Sequence, residues 1–507
     1  MSDQAEPVFS SWLSRLITAA LIINILYTFV AWSRDRNARH LPLPPGPVGK
    51  PIIGNLLQVP REREWLTFIE WGKQFGPLIY LNLFGQSIVV INSRAVATGL
   101  LDKRSAIYSD RPKLTMVGEL VGWERGVTLI ESGLRHKNYR KLLHNTLSQT
   151  ASKDLWPLQE SENKKFLKRL LETPQNFRSH IRRTVGASII RLAYGHEVVS
   201  DDDRYIKMAE DAQSNFSVAA TPNAFWVDFI PWLKYIPEWV PGAGFQRKAR
   251  RWREELQVLT NEPFENVKSQ IAQGNASPSY VSRHLEDPQL KGQEEDIKWS
   301  ALSLYTGGAD STVAAILTAF LALALNPEAQ ARAQAEIDSV VGRDRLPSFS
   351  DRGNLPFITA CVKETFRWKP VLPIGVAHRV TKEDDYNGYR IPENTTIITN
   401  LWAMLQDPSI YPEPETFRPE RFLGTPADAV SHHFGFGRRI CPGMWNAEAS
   451  VFISIATVLA IFDIRLPEDK VSRERTLNVE YTTGMISHPG PFDLKITPRS
   501  MANLDLL

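Results

Sequence analysis

Apolar and polar residues along the chain fall into three patterns. Residues 16–32 (LITAALIINILYTFVAW) carry no charge, a length at the short end of what a membrane-spanning helix needs. Residues 78–92 (LIYLNLFGQSIVVIN) alternate like a hairpin, and RIPENTTIITNLWA resembles another strand pair. Between them the period is mostly helical, and long helices dominate the C-terminal half. The pattern predicts a mostly α fold with a minor β part. From residue 299 to 325 the sole charge is Asp310, so this helix is buried or spans a membrane. Spanning is disfavoured, because Gly307, Gly308 and Asp310 interrupt it and the uncharged remainder is too short.

Charge sharpens the reading of the N-terminus. A cleaved signal fits poorly: Asp3 and Glu6 outnumber Arg15, and no small-residue cleavage site follows. Arg34, Arg36 and Arg39 come next and belong on the cytoplasmic side. Residues 1–40 therefore read as a single uncleaved membrane anchor, with a buried core helix as the alternative. Residues 41–55 hold four prolines within six positions, a stiff hinge, and 56–507 form the body. Residues 224–252 interleave aromatics with prolines and Lys234, Arg247 and Lys248, which suits a membrane interface or an aromatic core corner equally. The sequons at Asn215, Asn275 and Asn394 then lie on the cytosolic side as chance matches.

Composition excludes several classes. A net charge of +3 with mixed signs argues against nucleic-acid binding. Two cysteines, Cys361 and Cys441, build neither a disulfide framework nor a zinc site. No Gly-x-Gly-x-x-Gly unit for a dinucleotide occurs.

Cys441 sits in HHFGFGRRICPG, residues 432–443, just before a helix-like run. A helix N-terminus favours a thiolate, the form that ligates metal. Gly435, Gly437 and Gly443 permit positive φ and close approach of backbone donors to sulfur. Arg439 supplies a cation for a carboxylate, and Phe434 shields the site; an inert buried cysteine would not need this surround. In KETFR, Glu364 and Arg367 lie one helical turn apart and can pair. Gly307 and Gly308 cost about 1 kcal/mol each mid-helix relative to alanine, so something requires them, such as a flat cofactor. The Ser311 hydroxyl can bond back to the carbonyl of Gly307, bending the helix.

Phe434-x-x-Gly437-x-Arg439-x-Cys441-x-Gly443 resembles the haem-binding signature of the cytochrome P-450 family in full. The resemblance covers nearly the whole chain, and PWLKYIPEWVPGAGF and GGADST are most similar to the microsomal fungal branch of secondary metabolism. It implies the family's fold behind a single N-terminal transmembrane helix, with haem b held by an axial Cys441 thiolate and Arg439 near a propionate. Glu364 and Arg367 with Arg421 of FRPERF would form a structural triad locking the haem-side loop. Asp310 lands on the acid of the oxygen-binding helix and Ser311 on its alcohol, where the family usually has threonine. Thr312 follows and competes for that role. LRHKNYRKLLH resembles the helix that touches the propionates, with His136 replacing tryptophan and Arg140 in the arginine place. His378 falls where relatives put another propionate partner.

The resemblance implies a monooxygenase anchored in the endoplasmic reticulum membrane and facing the cytosol. It would insert one oxygen atom from dioxygen into an apolar terpenoid, polyketide or polyaromatic. Its electrons would come from NADPH through NADPH-cytochrome P-450 reductase, with cytochrome b5 as an optional further partner. Expected pocket walls are residues 114–129, 301–309 and 371–376 with Met485 and Ile486. The rivals are a haem-thiolate isomerase, dehydratase or peroxygenase, against which Asp310 and Ser311 argue, and a non-catalytic haem protein.

Overall fold

The computed structural model describes residues 41–507 except 201, 222–223, 425–430, 501–503 and 505; of the first forty it describes Thr18, Asn24 and Tyr27. The expected membrane anchor lies outside the described residues.

The body is mostly helical. Its longer helices are α1 (Glu64–Phe75), α2 (Leu134–Leu147), α3 (Trp156–Glu172), α4 (Phe177–Tyr194), α5 (Arg204–Ala220) and α6 (Gly244–Ala272). After these come α7 (Tyr280–Glu286), α8 (Glu294–Leu325), α9 (Pro327–Val340), α10 (Pro356–Trp368) and α11 (Met444–Ile461). Helix α8 is the axis of the core. It is apolar all round, and α2, α4, α6, α10 and α11 pack about it. Both α8 and α11 are long and apolar enough to cross a membrane, yet 72% of the most apolar window of each is buried inside the protein. They are core helices, as the all-round apolar pattern allows.

The expected hairpin forms as β1 (Leu78–Leu83) and β2 (Gln86–Ile91), antiparallel, with Phe84 and Gly85 both at positive φ in the turn. That is the two-residue turn whose twist matches paired strands. The second expected pair divides between sheets. In chain order, β3 (His378–Arg379), β4 (Asp384–Tyr386), β5 (Tyr389–Ile391) and β6 (Thr396–Thr399) follow α10. Strand β5 pairs with β4, whereas β6 runs parallel to β2 and takes β3 on its other side. Pro392 and the positive φ of Asn394 turn the chain out of one sheet into the other. Strands β7 (Phe462–Arg465) and β8 (Lys495–Pro498) form a further ribbon.

The proline-rich stretch before the body lies along β1. Tyr80 donates its amide to the Pro45 carbonyl at 2.9 Å, and Arg390 donates its amide to Pro42 at 2.8 Å. This strap fixes where the chain enters the sheet.

Candidate active site

The Cys441 loop folds as two short 3-10 turns, Ser431–Phe434 and Gly437–Arg439, ending at the N-terminus of α11. Gly437 has φ +56°, and a Cβ there would stand 2.1 Å from the Leu101 carbonyl oxygen, so no other residue fits. Its amide donates to Asp102 at 2.6 Å, and the Cys441 amide donates to the Phe434 carbonyl at 2.8 Å. Two expectations need correction here. Gly443 has φ −91°, not a positive value; an added Cβ would meet Cys441 Sγ at 4.0 Å, so closeness to sulfur is its distinctive feature. Burial also outweighs the helix end: it pushes the Cys441 thiol up, against the opposing pull of the Gly443 amide and Arg140. A bound cation would supply the missing stabilisation of the thiolate.

Cys441 lines a large cavity together with Phe434, Arg439, Arg140, His136, His378 and Arg111. Arg439 donates from Nε to Ser109, from Nη1 to Val127 and from Nη2 to Ile130, all backbone carbonyls, at 2.7, 3.3 and 2.6 Å. Arg140 Nη1 donates to the Ile440 carbonyl at 2.6 Å, next to Cys441. Arg111, which sequence reasoning missed, donates to the carbonyls of Val376 and Ala377 at 2.8 and 2.6 Å. Carbonyls take up most of these donors, Arg111 Nε is buried without a partner, and Asp110 offsets only part of the charge on Arg111 and Arg439. Burial pushes Arg439 down to about 10, helped by Arg140 and opposed by Asp110. Burial and the surrounding arginines drive His136 and His378 down to about 3. His136 Nε2 is buried without a hydrogen-bond partner. His378 Nδ1 donates to the Tyr108 carbonyl at 2.7 Å, which fixes the proton on that nitrogen in the neutral ring.

This surround fits haem on chemical grounds. Two propionates would answer the three cations and the orphaned His136 nitrogen. Among the described residues no group of three or more His, Cys, Asp or Glu gathers to hold a bare metal ion, so Cys441 offers a single ligand. A macrocycle brings the rest of the coordination itself.

The opposite wall is α8. Ser311 donates its hydroxyl to the Gly307 carbonyl at 2.8 Å, the expected back-bond, although α8 stays α-helical throughout. Ser311 and Thr312 both line the Cys441 cavity, so the helical turn between neighbours does not take Thr312 away from it. Asp310 faces elsewhere. It lines an adjoining chamber and accepts a hydrogen bond from His488 at 2.9 Å. The two glycines have different reasons. A Cβ on Gly307 would meet nothing within 4 Å, whereas one on Gly308 would stand 2.9 Å from the tip of Ile189 on α4, which would have to shift to admit it.

Glu364, Arg367 and Arg421 come together where α10 meets the 419–422 turn. Arg367 holds Glu364 with two hydrogen bonds, 2.6 and 2.8 Å, and both side chains are 0% exposed. Arg421 Nε adds a bond to Glu364 at 3.2 Å, and the Arg418 amide another at 2.8 Å.

The remaining walls are largely apolar. Trp123 and Val127, Leu304, Val371, Leu372, Val376, Met485 and Ile486 come from the expected segments. Ile189, Leu192, Gln213 and Phe216 come from α4 and α5, whose helical pattern gives no sign of a cavity. In the aromatic segment Trp226, Trp232, Tyr235 and Trp239 are exposed while Trp252 is buried, so only part of the stretch belongs to the core.

Residues 44–496 match the sequence profile of the family described as Cytochrome P450. The chain is 43% identical over 501 residues to "Cytochrome P450 monooxygenase 208" of Postia placenta, covering 97% of each. It is 39% identical to "Cytochrome P450 monooxygenase claR" of Ampulloclitocybe clavipes, over 100% of this chain and 97% of that one. It is 37% identical to "Tryptamine 4-monooxygenase" of Psilocybe cyanescens, over 95% of this chain and 97% of that one. With the signature loop, the cationic pocket and these likenesses in place, the chain belongs to the cytochrome P450 family of haem-thiolate monooxygenases.

Proposed function

We propose that this oxidoreductase is a membrane-bound monooxygenase that inserts one oxygen atom from dioxygen into an apolar small molecule, such as a terpenoid, polyketide or polyaromatic. Its setting is secondary metabolism or detoxification on the cytosolic face of the endoplasmic reticulum. The observation that carries this reading is that Cys441 and the Ser311 hydroxyl line one cavity whose other walls are largely apolar. Haem bound there supplies dioxygen activation, with the cysteine thiolate favouring O–O cleavage.

The chain's own residues do the rest. Arg111, Arg140, Arg439, His136 and His378 hold the propionate edge, and the Glu364, Arg367 and Arg421 triad keeps the cysteine loop in place. Ser311 handles protons arriving by way of Asp310, which is general-acid work. Trp123, Phe216 and Met485 exclude water and present apolar surface to the substrate. Among the described residues no Asp or Glu lines this cavity, which favours an uncharged substrate over an amine such as the one in the name of the Psilocybe relative. Electrons come from NADPH through a separate reductase. The exposed Trp226, Trp232, Tyr235 and Trp239 suit a membrane interface, where amphipathic rings concentrate.

Two measurements test this. The reduced, CO-bound protein should show the red-shifted Soret band of thiolate ligation, and Cys441→Ala should abolish it; a mutant that keeps the band sinks the assignment. Deleting residues 1–39 should end strong membrane attachment and leave that band intact, with weak vesicle binding persisting through the exposed tryptophans. Loss of haem on truncation would place the first segment in the core.

A further inference from the structure

Asp310 and Ser311 are chain neighbours that face different spaces. Ser311 lines the Cys441 cavity, and Asp310 lines a chamber of about 360 Å³ with Arg182, Glu210, Thr482 and His488. The two spaces share Gln213, Phe216, Met485 and Ile486 as lining, so a single layer of side chains divides them. His488 reaches Asp310 from a loop 178 residues away in the chain, and that loop is built to aim it. The Thr482 amide donates to the His488 carbonyl at 2.8 Å, and the His488 amide donates to Thr482 Oγ1 at 2.9 Å. From this base Nε2 meets the Asp310 carboxylate at 2.9 Å, while Nδ1 is buried without a partner. Among the described residues the other charges facing the chamber are Arg182 and Glu210, which lie 3.6 Å apart and pair with each other. The ring's polar contact is therefore spent on Asp310.

We propose that His488 is a positioning residue for Asp310: it holds the carboxylate toward the polar chamber and so sets when that carboxylate can turn to serve Ser311. The proposal rests on the proton-handling reading of Asp310 given above. Residues of a C-terminal loop thereby reach the proton route through helix α8 without touching the Cys441 cavity at this position. A carboxylate loose in the dividing wall would deliver protons out of step with electrons, and reduced oxygen would leave as peroxide.

The test uses full-length holoenzyme with reductase. His488→Leu should retain the CO-bound band and the melting temperature, while product per NADPH falls severalfold and peroxide rises in its place. His488→Gln keeps an N–H donor and should restore most of the coupling. Carbodiimide labelling of Asp310, read by mass spectrometry on resting enzyme, should rise severalfold in His488→Leu and stay near wild type in His488→Gln. If His488→Leu loses haem, His488→Asn takes its place, being too short to reach the carboxylate. Unchanged labelling and coupling in the donor-deficient variant overturn the proposal, provided that Asp310→Asn uncouples. A coupled Asp310→Asn overturns both this proposal and the reading beneath it.

Discussion

Buried charge gathers in two places, the α10 triad and the Cys441 cavity, and the two differ in how it is answered. At the triad, Glu364 and Arg367 are fully buried, and the carboxylate collects Arg367, Arg421 and the Arg418 amide. In the cavity, Arg111, Arg140 and Arg439 donate to carbonyls, His136 Nε2 has no partner, and among the described residues no carboxylate lines the wall. Burying charge is costly unless it is paired and hydrogen-bonded. The first network is complete within the chain, so its purpose is structural. The second is complete only with an anionic ligand, so its purpose is binding.

The largest effect that can break this contrast is at Arg367. Arg367→Ala should leave the Glu364 carboxylate buried without its main counterion, a class of change costing about 3–5 kcal/mol. We expect little or no folded holoprotein, whereas Arg111→Ala should fold and bind haem more weakly. Thermal melts and haem content of both variants decide the matter. Equal damage from the two would erase the distinction between structural and binding charge.

The complete network was also the more legible one. Glu364 and Arg367 are one helical turn apart, so a local spacing announces the pair. The Cys441 loop is likewise local, and the φ of Gly443 and the upward push of burial on the Cys441 thiol are its two departures from the reading. The binding charges come from scattered places: Arg111 before the 115–120 turn, His136 and Arg140 on α2, and His378 on β3. Family likeness supplied all of these but Arg111, which lies three residues short of the expected wall. The pairing of β5 and β6 was misjudged because alternation marks a strand but says nothing of which sheet receives it. His488 was invisible for a similar reason: its contact with Asp310 depends on where a C-terminal loop lands against α8.

Acid sharpens the comparison next. His136 and His378 are held to about 3 when only the protein surrounds them, below the ordinary value near 6.5. The unfolded chain therefore binds protons that the folded chain refuses, and stability falls as pH drops from about 6.5 toward 3. Each ring costs up to roughly 1.4 kcal/mol per pH unit in that window. Propionates beside the same rings would favour their charged forms and shrink the loss. Haem-free protein should thus lose stability between pH 6.5 and 5 more steeply than holoprotein, and His136→Phe should remove about half of the haem-free slope. Denaturant midpoints against pH measure it. Parallel slopes with and without haem would mean that these histidines do not face the propionates.

The finest contrast is between the neighbours Ser311 and Thr312, which share the cavity wall. Ser311 Oγ bonds to the Gly307 carbonyl at 2.8 Å, so its hydroxyl is oriented by the helix, and Thr312 is the more buried of the two. An oriented hydroxyl at the cavity surface is the better proton handler, since losing one positioned donor costs about 10²–10⁴-fold at the step it serves. Ser311→Ala should keep haem and substrate binding and still consume NADPH, but it should shift the output from product to peroxide. Thr312→Ala removes a methyl and a hydroxyl from a buried site, so its first effect should be a modest loss of stability with coupling nearly intact. Ser311→Thr should stay coupled, or improve slightly, because the added methyl stiffens χ1 without disturbing the back-bond. Product and peroxide per NADPH, measured for all three, separate the residues. Uncoupling by Thr312→Ala but not by Ser311→Ala would move the alcohol role one residue along the helix.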